Sequence, residues 1–332
     1  MMRAIPTLAA LLILIAGNTW AGEGAPLRLL QTIALPGVEG RIDHLAIDLG
    51  RQRLYVAELG NNTLGVIDLH VGRRVREIAG LSEPQGVLFA PDVDRIVVTN
   101  GGTGAVDLFD GGSLERTGTV ALAGDADNVR YDADHRAVYV GYGDGALGII
   151  DATGGRAVGD IPLAGHPEAF QLERSGPRIF VNVPAAGQVA VVDRAERAAV
   201  AAWEVTGAGG NFPMALDEAR HRLFVGARRP PALLVFDTGT GAEVARANAC
   251  ADTDDVFYDA ARGRLYLSCG EGFIDVLSTR EGDGYARIAR IATAPGARTS
   301  LFVPEQDRLY LAVPRRGSQG AEVRVYQVPP AA

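Results

Sequence analysis

One phrase returns seven times along this chain: Arg, an apolar residue, an aromatic or Val, then Val or Leu. It reads Arg53-Leu-Tyr-Val, Arg95-Ile-Val-Val, Ala137-Val-Tyr-Val (with Ala in the Arg place), Arg178-Ile-Phe-Val, Arg222-Leu-Phe-Val, Arg264-Leu-Tyr-Leu and Arg308-Leu-Tyr-Leu, in steps of 41 to 44 residues. A second apolar phrase keeps the same beat and usually ends in Asp: Val66-Ile67-Asp68, Leu108-Phe109-Asp110, Ile149-Ile150-Asp151, Val191-Val192-Asp193 and Val235-Phe236-Asp237, then Val276-Leu277-Ser278 and Val325-Tyr326-Gln327. Between the phrases lie Gly- and Asn-rich stretches such as Gly60-Asn61-Asn62 and Gly143-Asp144-Gly145, residues that accept the positive φ of tight hairpins. Each unit therefore reads as four short strands, and a repeat of this length is the period of a propeller blade.

The ends of the chain say how such a ring would close. The seventh copy stops at Val328-Pro-Pro-Ala-Ala332 without room for a fourth strand, while residues 27–35, LRLLQTIAL, form an unassigned strand before the first copy. If the N-terminal strand completes the last blade, the ring leaves no exposed sheet edge. The expected fold is all-β: a seven-bladed β-propeller of four-stranded blades, spanning residues 22–332 as one domain.

Residues 1–21 read differently. One positive charge at Arg3 precedes the apolar run Ala4–Gly17, and Thr19-Trp20-Ala21 offers small residues at the −3 and −1 positions of a cleavage site. That pattern predicts a secretory signal peptide cleaved after Ala21 and a periplasmic or secreted protein. No stretch reaches the roughly 20 apolar residues of a membrane span.

Composition removes several functions. The chain has 332 residues, 32 basic against 40 acidic, and every basic residue is Arg. Without Lys there is no Schiff-base chemistry and no Walker-type phosphate loop. The acidic excess, with no basic tract, argues against a nucleic-acid groove. Gly141-Tyr-Gly-Asp-Gly145 is a turn with no helix after it, so no nucleotide is expected. No Cys-x-x-Cys-His is present, which excludes covalent haem, and Trp203 is the one Trp after the leader, too few for the quinone-docking motifs of PQQ propellers.

The segments 53–68 (RLYVAELGNNTLGVID) and 84–92 (PQGVLFAPD) resemble the YVTN repeat of the YncE-like β-propellers, and the likeness covers nearly all of residues 27–328. The resemblance implies an exported seven-bladed propeller. It implies little about activity, since fold does not carry function.

Propellers bind ligands where the loops leading into the innermost strands converge. Aligning the copies brings Asp43, Gln85, Asp127, Glu168, Phe212, Asp254 and Arg298 to that mouth, four acids among seven where the overall composition gives fewer than one. Three residues upstream stand Arg41, Glu83, Asp125, His166, Gly210, Asp252 and Gly296. One residue downstream stand His44, Gly86, Asn128, Ala169, Pro213, Asp255 and Thr299. Carboxylates drawn onto one axis repel unless protonated, hydrogen-bonded or bridged by a cation, so Asp43, Asp127, Glu168 and Asp254 are candidate ligands for Ca²⁺ or Mg²⁺. His44 and His166 would admit a softer metal and are the candidate proton carriers. The alternative is structural: Asp and Asn also favour strand beginnings for their local backbone hydrogen bonds. Arg298 reads either as an internal counter-ion for Asp43 and Asp254 or as a grip on a substrate carboxylate, and Phe212 with Met214 as an apolar wall.

Cys250 and Cys269 fall on adjacent segments of the sixth copy, so antiparallel pairing predicts a disulfide in an oxidising compartment. His70, His135 and His221 read as turn residues, and the Asn61-Asn62-Thr63 sequon as a hairpin. Besides a pure protein scaffold, which needs neither ion nor pocket, two functions remain open. One is a monomeric binding module taking a small molecule, ion or protein partner at the channel mouth; the other is a divalent-metal-dependent hydrolase or lyase using the same acidic residues.

Overall fold

The computed structural model describes residues 25–280 and 284–330; the expected signal peptide lies outside the described residues. Seven four-stranded antiparallel sheets make up the fold. Blades one to six occupy residues 45–78, 84–121, 129–162, 170–204, 209–248 and 253–292 in order. Each blade's first strand touches the first strands of the blades on either side, and the circle of contacts closes from the seventh back to the first. These first strands therefore line the axis, and the fourth strands, with exposed Val75, Val200, Val244 and Ile288, form the rim.

Closure happens as the chain ends require. Strand Arg28–Ala34 pairs antiparallel with strand Glu322–Gln327 and becomes the outer strand of blade seven, whose other strands come from residues 300–327. Arg28 pairs with Gln327 and Ala34 with Glu322, with one bulge between Leu29 and Gln31, so the first and last strands of the fold are joined along their length.

The repeated phrases have physical reasons. In the first, the Leu-Tyr-Val triad is buried and packs between blades, as Leu54, Tyr55 and Val56 do with no exposure. Among the described residues seven apolar clusters fill the fold, one in each gap between neighbouring blades. In three copies the phrase's Arg reaches the next blade: Arg53 Nη1 donates to Gly111 O at 3.0 Å, Arg95 Nη1 to Ala152 O at 2.8 Å and Arg178 Nη1 to Thr238 O at 2.5 Å. The Asp closing the second phrase caps the hairpin after it. Asp68, Asp110, Asp151, Asp193 and Asp237 each accept two backbone N–H groups from the next turn through Oδ1, the local bonding that favours Asp there.

No helix among the described residues is long and apolar enough to cross a membrane. Cys250 and Cys269 form the expected disulfide, with Cα atoms 5.9 Å apart, and both are buried. It fastens the loop that leads into the inner strand of blade six. The bond encloses a separation of 19 residues. By loop-closure entropy such a bond stabilises by about 3 kcal/mol. Intact mass is expected to rise by two hydrogens on reduction, and the Cys250→Ala/Cys269→Ala variant to melt at a lower temperature; a mass indifferent to reductant contradicts the pairing.

Candidate functional site

The seven loops that lead into the inner strands meet around a cavity of about 490 Å³ at one end of the channel. Asp43, His44, Gln85, Asp127, Asn128, Glu168, Phe212, Asp254 and Arg298 all line it, as do Arg41, Glu83, Asp125 and His166 from the upstream positions. Backbone bonds set the heights of these side chains. Asp43 N donates to Ala57 O at 2.8 Å, Asp127 N to Gly141 O at 2.9 Å and Glu168 N to Asn182 O at 2.9 Å, the same bond to the second strand in three different blades. Bonds between blades then fix the ring: His44 N reaches Gln85 O at 3.3 Å, Ala169 N reaches Phe212 O at 3.2 Å, and Asn182 Nδ2 holds Phe212 O at 2.9 Å.

The carboxylates divide into two groups. Arginines claim the first. Arg41 Nη2 lies 2.6 Å from Asp43 Oδ2, Arg298 Nε lies 2.8 Å from Asp254 Oδ2, and Arg298 Nη1 lies 3.0 Å from Asp252. Arg228 bonds Asp254 Oδ1 from the other side while its guanidinium stacks on Phe212, 3.9 Å from the ring centroid. Arg298 is thus an internal counter-ion for Asp254 and Asp252. Asp43 is held by Arg41 instead, because that Arg is two residues away on the same loop.

The second group has no arginine bond. One ligand atom each from Asp127, His166 and Glu168 lie within 4.8 Å of one another. Oxygens on opposite sides of a Ca²⁺ ion stand about 5 Å apart, so three atoms at this spacing can share one divalent ion. His166 Nδ1 lies 2.7 Å from Gly143 O, and a carbonyl can only accept, so Nδ1 carries the proton and Nε2 keeps its lone pair. An imidazole oriented by its other nitrogen is the usual arrangement of a metal-ligating His. Asn128, buried on the cavity wall, has a side-chain Oδ1 without a hydrogen-bond partner. Asp127, Glu168 and His166 therefore come within ligand distance of one another, while Asp43 and Asp254 are held by arginines.

Electrostatics matches this division. Burial raises the pKa of Asp127, and the Asp43 charge adds to it against His44 and His166. Burial likewise raises Glu168, with Asp127 and Asp254 adding to it. Asp255, one residue below Asp254 on the channel wall, is pushed up to about 7, chiefly by burial and despite His44. Asp254 is raised by burial too, with Arg228 and Arg298 opposing. His44 sits between Asp43 Oδ1, 3.7 Å from Nε2, and Asp255 Oδ1, 3.9 Å from Nδ1. Burial works against its protonation, but the charges of Asp255, Asp43, Asp127 and Asp254 outweigh burial and raise its pKa.

Some placements differ from the sequence reading. Met214 is buried among Ala169, Phe180 and Val225 and does not reach the mouth, leaving Phe212 as the apolar wall. His135 does stand exposed on its hairpin, yet its Nδ1 lies 3.0 Å from Asp132 Oδ2. Arg228 was not visible as a mouth residue. Its signal was the length of its strand, Arg222–Arg229, which runs two residues past the six of most second strands. Leu59 also lines the cavity without any signal in the alignment of the repeats.

Two solved structures share this architecture. A chain of the hydrazine synthase of Kuenenia stuttgartiensis matches with a TM-score of 0.74 at 15% identity, over 83% of this chain and 94% of that one. A chain from a crystal structure of the mitotic checkpoint complex matches with a TM-score of 0.76, also at 15% identity, over 96% of this chain and 99% of that one. The fold is a seven-bladed β-propeller. At this identity the likeness carries nothing about the mouth. No family model matches the sequence, and no curated protein matches it.

The raised pKa values have a sign that can be measured. Asp127, Glu168, Asp255 and His44 all titrate above their ordinary values in the folded state, so their protons stabilise the fold at low pH. That contribution is lost as pH climbs from the ordinary carboxylate range through about 7. In chelator the melting temperature is expected to fall by several degrees between pH 5 and pH 8, and Asp127→Asn to flatten the fall; a melting temperature that rises over this interval contradicts the arrangement.

Proposed function

We propose that this protein is an exported, YncE-like propeller that acts as a binding module, holding a divalent cation at the channel mouth and, on the cation's open positions, a small oxygen-bearing ligand. The observation that carries the reading is the convergence of Asp127, His166 and Glu168, three potential ligands from two blades, on one point of the cavity. Without a cation, these carboxylates are half-buried with no arginine bond among the described residues, and their pKa values are raised. A cation would let them ionise, and that gain is part of its binding energy. The cavity has the volume of a small-molecule site, roughly 300 to 1,000 Å³. One imidazole with two carboxylates suits Mn²⁺ or Zn²⁺ as well as Ca²⁺, since nitrogen is a poor ligand for the hardest ions. Export is supported by the Cys250–Cys269 disulfide, which belongs to an oxidising compartment.

A second reading is favoured by His44. It stands in the same mouth with a carboxylate near each ring nitrogen, in reach of a proton-carrying role. In a metal-dependent hydrolase or lyase the cation would polarise a substrate oxygen and His44 would move the proton.

Titration calorimetry of chelator-stripped protein against Ca²⁺, Mg²⁺, Mn²⁺ and Zn²⁺ tests the binding reading. One ion per chain is expected for at least one of the four, with affinity reduced at least about tenfold in Asp127→Asn and in Glu168→Gln, the loss of one charged ligand. Sub-stoichiometric heat for all four ions, or binding indifferent to both substitutions, contradicts it. His44→Gln separates the two readings, since it is expected to leave cation binding in place while abolishing any turnover.

A further inference from the structure

A larger cavity, about 1120 Å³, opens between blades three and four at the end of the channel opposite the mouth. Its walls are the hairpins by which the chain leaves the inner strands of these blades. Those inner strands are short, Val129–Asp132 and Phe170–Leu172. The hairpin after the second, residues 173–177, contains Gly176 and Pro177 where blades one, three, five and six carry an Asp-capped turn. We propose that this cavity is a second binding site, for a small organic anion with a flat apolar body.

Charge is the first argument. The chain carries a net charge of −8, yet five of its arginines line this cavity. Three of the four carboxylates there are engaged, Asp132 by Arg194 at 2.5 Å, Glu173 by Arg178 at 2.5 Å and Asp151 by two backbone N–H groups in its own turn, while Asp134 stands exposed on its hairpin. Arg194 also donates to Glu173 O and Gly176 O, so it laces the hairpin to blade three and is spent. Other arginines keep donors in hand. Arg130 makes one hydrogen bond among the described residues, to its own Val129 O, and lies over the Phe170 ring at 5.5 Å. Its pKa is lowered by burial, against the pull of Asp255 and Asp127, which marks a guanidinium short of compensating charge. Arg174 makes no side-chain hydrogen bond among the described residues, and Arg197 makes one, to Val158 O.

Shape and polarity are the second argument. Tyr139 lines the cavity with 5% of its surface exposed, and its hydroxyl makes no hydrogen bond among the described residues. Ile149 and Leu172 add an apolar wall beside its ring. An anionic group would meet Arg130 with a choice of charge-assisted bonds, and a flat apolar body would lie along Tyr139 and Leu172. Bare inorganic ions would leave that apolar wall wet, so an aromatic carboxylate, sulfonate or phosphate fits better.

Fluorescence titration of the full chain with 8-anilinonaphthalene-1-sulfonate, an aromatic sulfonate, tests the site. The expected result is one saturable site per chain, displaced by phenyl phosphate. Arg130→Gln is expected to weaken it by about tenfold, one charge-assisted hydrogen bond. Arg174→Gln, at an exposed position where the substitution keeps the backbone bond to Glu218, is expected to weaken it about threefold and keeps the test alive if Arg130→Gln does not fold. Glu168→Gln at the mouth is expected to leave it unchanged, so failure of the cation site and failure of this one are told apart. Absence of saturable binding, binding indifferent to Arg174→Gln, or equally tight binding of neutral N-phenyl-1-naphthylamine overturns the proposal.

Discussion

Everything in this molecule depends on the pairing of the first strand with the last. Residues 28–34 supply the outer strand that residues 300–327 lack, and that pairing turns a row of seven sheets into a ring. A row would expose two blade faces, each with an apolar cluster half covered; the ring covers both, and seven clusters occupy seven gaps. The sheet edges left on the rim are short fourth strands carrying charged residues such as Arg73, Arg74 and Arg76, which resist edge-to-edge association.

Ring closure also dictates the chemistry. Seven loops are forced onto one axis, so whatever they carry shares a small, partly desolvated volume. Here they carry more acids than the local arginines can neutralise. Arg41, Arg228 and Arg298 satisfy Asp43, Asp252 and Asp254. Asp127, Glu168 and Asp255 are left to burial, which raises their pKa values against the pull of the imidazoles. The disulfide belongs to the same economy, because it pins the loop bearing Asp252, Asp254 and Asp255 beside its neighbours at the mouth. At the other end of the channel the sign is reversed, with Arg130 the group that feels both ends.

The ring and the mouth were legible in the sequence for one reason: a repeat converts sequence position into spatial position. Once Arg53, Arg95 and their counterparts are aligned, one residue per blade falls at each height of the channel; Asp43, Asp127 and Glu168 share a height because their backbones make equivalent bonds, while Asp254 reaches the same mouth from a bulge in its strand. What a repeat does not encode is which way a long side chain turns. Arg298 takes Asp252 and Asp254 and leaves Asp43 to Arg41, a choice set by reach. His166, three residues off the main register, comes within ligand distance of Asp127 and Glu168 because its Nδ1 is anchored on Gly143 O in blade three. Arg228 and Arg130 break the periodic pattern, one by an overlong strand and the other by pointing into a gap between blades, so alignment alone could not bring them to the channel.

The account turns on whether the mouth of the ring concentrates its unpaired carboxylates on a cation. A crystal of the protein grown with Mn²⁺ near pH 8, measured for manganese anomalous scattering, answers that most directly. The account predicts one strong peak per chain within bonding distance of Asp127, Glu168 and His166 Nε2, with Asp43 and Asp254 still on their arginines. An anomalous map empty at the mouth, or a peak confined to surface hairpins such as Asp68 or Asp110, would contradict it.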